Sequence, residues 1–65
     1  MTPARRRYLA DLMREFDEEY ANARREFPGE GRMMPLRLMG MTGLIAWELA
    51  QAGLIGFDGD RVWMR

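Results

Sequence analysis

The sequence predicts a small α+β domain: a long N-terminal helix, two short helices and a C-terminal β-hairpin. Three observations carry that prediction. Leu9, Leu12, Met13, Phe16, Tyr20, Ala23 and Phe27 recur at three- and four-residue steps, which draws one narrow apolar stripe along a 3.6-residue helix. Thr42 precedes an apolar run that stops at Gly53, the pattern of a capped helix ending in a left-handed glycine. Asp58-Gly59 separates two short apolar segments. That dipeptide favours a type I′ turn, whose two central residues both need positive φ.

The first helix is expected over 3–27. Thr2 supplies the N-cap, and Pro3 occupies the first helical position, where its missing N–H costs nothing. Pro28-Gly29 ends the helix, which is ~36 Å long at 1.5 Å per residue. The segment 30–32 reads as linker. A short second helix is expected over 35–39, with Pro35 in its first turn and Gly40 as its stop. The third helix is expected over 43–52 and the hairpin over 54–64. A two-residue Asp58-Gly59 turn pairs Phe57 with Asp60 and Ile55 with Val62. Strand alternation then places Ile55, Phe57, Val62 and Met64 on one face, and Leu54, Arg61, Trp63 and Arg65 on the other. The whole of 1–65 forms one domain, near the lower size limit for independent stability.

Composition narrows the chemistry. The chain has no Cys, His, Ser or Lys. A disulfide framework and a thiolate or imidazole zinc site are therefore impossible, and the usual nucleophile–base pairs lack their members. No enzyme activity, no cofactor, no metal and no small-molecule substrate are expected. Formal net charge is zero, which gives no global attraction to nucleic acid. Arg in place of Lys, with much Gly and Ala, fits a GC-rich coding genome of a bacterium or phage. The charged N-terminus has no apolar h-region, so a cytoplasmic location is expected. Residues 38–57 hold one charge, Glu48, and are long enough to span a bilayer. Four glycines, Gln51 and the central carboxylate argue against a span.

Several clusters bear on function. Arg5, Arg6 and Arg7 oppose the helix dipole, which favours acids at that end, so they read as a contact for phosphate or an acidic partner, or as a solvated run. Asp11, Glu15, Asp17, Glu18 and Glu19 read as a solvated face, with Arg14 able to pair with Glu18. Met33, Met34, Met39 and Met41 are placed in the core as gap fillers. The third helix is apolar nearly all round, and Trp47 is assigned to the core, the alternative being an exposed anchor for a partner. Trp63 is expected half-buried over Gly56, flanked by arginines.

The order helix, helix, helix, hairpin, with the third helix running into the hairpin, resembles the winged helix-turn-helix superfamily over roughly residues 32–65. The resemblance implies a binding module, with the third helix as reader and the hairpin as wing. The sequence departs from the family at that helix, which is about a turn short and carries no Arg or Lys. Readers of the major groove use such side chains on base edges and phosphates.

The functional expectation is a non-enzymatic, regulatory protein-interaction module. The stripe of the first helix spans ~27 Å, whereas a ten-residue helix covers ~15 Å. Part of the stripe is therefore expected to need a protein partner or a second copy. The residues assigned to that contact are Arg5, Arg6, Tyr8, Leu9, Leu12, Phe16 and Tyr20. The alternative is a dimeric winged-helix DNA-binding regulator, with Arg5, Arg6, Arg7, Arg32, Arg37, Arg61, Trp63 and Arg65 on nucleic acid.

Overall fold

In the computed structural model, which describes residues 2–65, one helix sets the length of the molecule. Helix α1 spans Pro3–Glu26, ~36 Å at the helical rise, and the molecule measures 39 × 20 × 19 Å. The Thr2 hydroxyl accepts the N–H of Arg5 at 3.1 Å and caps its start. A 3-10 turn over Pro28–Glu30 follows, and Gly31 adopts φ +68° to turn the chain back along α1.

Strand β1 is Met34–Pro35, and a 3-10 turn over Leu36–Leu38 comes directly after it. This corrects the short helix expected over 35–39. Pro35 is extended at φ −59°, ψ 128° and pairs with Arg61. Proline brings no N–H to a ladder, and a sheet edge is where that is tolerated. The N–H of Leu36 instead reaches the carbonyl of Asp60 at 2.9 Å.

Helix α2, Gly43–Gln51, corresponds to the third helix of the sequence reading. The Thr42 hydroxyl accepts the Ile45 N–H at 3.4 Å. At the other end Gly53 takes φ +76°. Its N–H reaches the Ala50 carbonyl, and the Leu54 N–H reaches the Leu49 carbonyl, both at 3.0 Å. That crossed pair is the Schellman closure, and it needs a residue without a Cβ at the left-handed position.

Strands β2, Ile55–Phe57, and β3, Arg61–Met64, complete an antiparallel sheet of order β1-β3-β2. The register corrects the expectation. Phe57 pairs with Val62, Gly56 with Trp63 and Ile55 with Met64, a slip of two residues. A two-residue slip preserves the side-chain faces, so Ile55, Phe57, Val62 and Met64 still share one. The turn is also different. Asp58 and Arg61 close a loop of Gly59-Asp60, with the Asp58 N–H on the Arg61 carbonyl at 3.2 Å. Gly59 has φ +99°, and among the described residues none other than glycine has positive φ. Positive φ at the first central position alone is the type II′ pattern, not type I′.

The core packs α1 against α2 and one face of the sheet. Phe16, Met34, Leu49, Ile55 and Val62 are its largest fully buried side chains. Phe16 and Tyr20 stack at 5.4 Å between ring centroids. Among the linker methionines, Met34 and Met39 are buried, Met41 is partly buried against the core, and Met33 is exposed. The stripe of α1 finds cover within the chain: α2 lies against it, and so do the 3-10 turn after it and β1. Total accessible surface is 4364 Å2, close to the roughly 4300 Å2 expected of a folded monomer of this mass. The expectation that α1 is left partly bare is thereby corrected. Irregular chain, not helix α2 alone, supplies the missing length.

Candidate interaction surface

Three side chains tie the ends of the fold together. The Tyr20 hydroxyl donates to the Arg32 carbonyl. Glu19, read from sequence as part of a solvated acidic face, accepts the Gly40 N–H at 3.1 Å, so it pins the turn before α2 to α1. Arg61 reaches Glu30 Oε2 at 3.1 Å and the Met33 carbonyl at 2.9 Å. On the acidic stretch, Arg14 pairs with Asp11 at 3.4 Å rather than with Glu18.

The residues assigned to protein contact separate into two groups. Leu9, Phe16 and Tyr20 are buried and Leu12 is partly buried, so these four belong to the interior and are removed from the contact surface. Arg5, Arg6 and Tyr8 are exposed. The nucleic-acid set also divides. Arg5 Nη2 lies 2.9 Å from Glu48 Oε2, Arg32 Nη2 donates to the Met64 carbonyl at 2.7 Å, and Arg61 is held as above. Trp63 lies half-buried on Gly56, where an added Cβ would meet the indole at 1.9 Å. Arg6, Arg7, Arg37 and Arg65 are exposed and make no ion pair among the described residues.

Trp47 is the principal correction. It is 52% exposed, and Leu44 is 69% exposed. The cause is helical geometry. Ala46 and Leu49 are buried, and a helix that turns those two inward turns Leu44, Trp47 and Gln51 outward, because positions three and four apart share a face. The interior is already occupied by Phe16, Ile55 and Val62. The sequence held a signal for this arrangement, since the stripe of Leu44 and Trp47 ends on the polar Gln51.

The Arg5–Glu48 ion pair joins that face to α1. Glu48 follows Leu44 by one turn of α2, and the Arg5 guanidinium lies 5.3 Å from the centre of the Tyr8 ring. Tyr8 is 44% exposed. The Arg5–Glu48 pair thus links Arg5 and Tyr8 on α1 to the helix that exposes Leu44 and Trp47. Trp, Tyr and Arg are the residue types that dominate binding energy at protein interfaces. Among the described residues no three carboxylates gather to hold a metal, and no helix is long and apolar enough to cross a membrane. The stretch 38–57 is broken into a 3-10 turn, α2 and β2. Compared with known proteins, the chain matches no family model, no curated protein and no solved structure.

Proposed function

We propose that this chain is a non-enzymatic protein-interaction module that docks a protein partner on the patch formed by Leu44, Trp47, Tyr8 and Arg5. The observation that carries the reading is the exposure of two large apolar side chains on one face of a nine-residue helix. A protein this small has few large apolar groups, and leaving Leu44 and Trp47 in water forgoes roughly 1.5–3 kcal/mol for each. A contact that buries them recovers that energy. The Arg5–Glu48 pair between the two helices supplies charged groups that set orientation more than affinity.

A second reading, DNA binding by a winged-helix-like dimer, draws support from Arg6, Arg7, Arg37 and Arg65, which are exposed and free of ion pairs among the described residues. The outward face of α2 weighs against it. That face carries Leu44, Trp47 and Gln51 and no cation, where base edges and phosphates call for polar and basic side chains.

The test is site-specific photocrosslinking. A photoreactive residue at position 47 should capture one protein, a photoreactive residue at Glu18 should not, and Leu44→Asp should abolish the product at 47. A submicromolar, sequence-specific DNA shift at ~150 mM salt, with no crosslink at 47, would reverse the order of the two readings.

A further inference from the structure

We infer that a second copy of this chain docks against a face of α1 that the Trp47 patch does not use, through an antiparallel pairing of the two α1 helices. The face is made by Arg6, Ala10, Met13 and Asp17. Their spacing of four, three and four residues places them on one side of the helix. Arg6, Leu9, Ala10 and Met13 form one wall of an apolar groove of about 270 Å3, and Ala52 and Leu54 form the other. Leu54 is 38% exposed.

This face is complementary to itself. Turned end for end about the midpoint between Ala10 and Met13, the order Arg6, Ala10, Met13, Asp17 becomes Asp17, Met13, Ala10, Arg6. Each arginine then meets a carboxylate of the other copy, twice over. Each small Ala10 meets the larger Met13 of the other copy, whose flexible thioether suits the groove beside it. Charge and size match under a single two-fold operation, as an isologous interface requires. The outer pairs sit ~16 Å apart along the axis, so the contact occupies three turns of α1. Arg24 and Arg25 fall beyond the N-terminus of the other helix in this register and do not face Arg6.

The charges that would form these pairs are unspent. Arg6 and Asp17 are both exposed and neither has an ion-pair partner among the described residues. Their neighbours do: Arg5 is held by Glu48 and Asp11 by Arg14. Tyr8 lies about 200° around the helix from Arg6 at 100° per residue, so pairing through Arg6 leaves the Trp47 patch open. The assembly presents two such patches on opposite copies. A bivalent partner would gain avidity from that arrangement without any new contact.

Sedimentation equilibrium on charge-swapped variants tests the inference. The wild-type chain should dimerise at about 100 µM, in keeping with a small interface. Arg6→Asp and Asp17→Arg, both at exposed positions, should keep their helical circular dichroism and each weaken association at least about tenfold, because like charges then face each other. The double variant Arg6→Asp with Asp17→Arg should restore association to within about threefold of wild type. A wild-type chain that stays monomeric to ~1 mM overturns the inference. So does a dimer that single swaps leave intact, or one that the double swap fails to rescue. Loss of the dimer in Leu44→Asp, with the charge swaps silent, would assign the second copy to the Trp47 patch instead.

Discussion

Gly56 has no room for a side chain. A Cβ there would meet Trp63 Cε2 at 1.9 Å, so the indole lies flat on the opposing strand, directly across in the register. Aromatic cover of this kind compensates a glycine in a strand. Gly56→Ala should push the half-buried indole into solvent. In a Trp47→Phe background this will appear as a red-shifted Trp63 emission, with a stability loss of about 1–2 kcal/mol. Asp58 acts through its carboxylate rather than its bulk. Its Oδ1 accepts the N–H of Arg61 at 2.8 Å and that of Asp60 at 2.9 Å. These bonds, Arg61 first, hold its carboxyl below the ordinary 3.8. A carboxyl depressed by folding contributes fully above its unfolded value, and that contribution is lost as pH falls through the folded value. The Asp60 and Arg61 amide resonances of wild type should therefore shift in a step centred below pH 3.8, and Asp58→Asn, which cannot titrate, should lack that step. At this scale the caps were legible in the sequence, because Thr2 and Thr42 act on N–H groups three residues away. The turn was not. Asp58-Gly59 and Gly59-Asp60 are both acceptable turn pairs, and the choice between them depends on the Asp58 side chain binding ahead of itself.

Among the elements, α1 and α2 were legible and the chain between them was not. Periodicity and caps define a helix locally. Residues 34–38 carry no periodicity of their own, and they are strand and 3-10 turn because β3 offers Met34 and Pro35 a partner nearly thirty residues downstream. A single sequence does not display such a pairing. The Arg5–Glu48 bridge between helices was equally hidden, since Glu48 stands among apolar residues. Its side chain is 21% exposed and that of Arg5 is 46% exposed. The bridge therefore works partly in solvent, and its net contribution is modest. A double-mutant cycle of Arg5→Ala and Glu48→Gln, read by thermal unfolding, should give a coupling of about 0.5–1 kcal/mol that shrinks as salt rises. A coupling near zero would mean that Arg5 serves the Tyr8 surface alone, and one of several kcal/mol would mean that Glu48 is a structural anchor of α2.

The whole molecule balances a long helix against a short remainder, and the balance is reached by laying irregular chain along the C-terminal half of α1. Helix length set against helix length leaves the stripe of α1 short of cover. Met34 and Met39 are buried, as their assignment to the core expects, but the irregular chain that carries them, with Leu36 and Leu38 packed partly against the core, adds a length of cover that a comparison of helices leaves out. With the stripe covered, the two most exposed of the large apolar side chains, Leu44 and Trp47, lie on α2. Two substitutions separate inside from outside. Phe16 is fully buried and stacked on Tyr20. Phe16→Ala should cost roughly 3–5 kcal/mol, which is most of the stability of so small a domain, and Phe16→Asp adds an unpaired buried charge. Trp47→Ala removes an even larger side chain from α2, yet half of it is in water and it does not belong to the core cluster. Alanine also has the higher helix propensity. Trp47→Ala should therefore keep its helical circular dichroism, and it should melt within about 5 °C of wild type, where 1 kcal/mol is worth about 4–8 °C in a domain of this size. Its loss should appear in partner capture instead. A Trp47→Ala protein that unfolds as Phe16→Ala does would place the indole in the core and take the proposed docking patch with it.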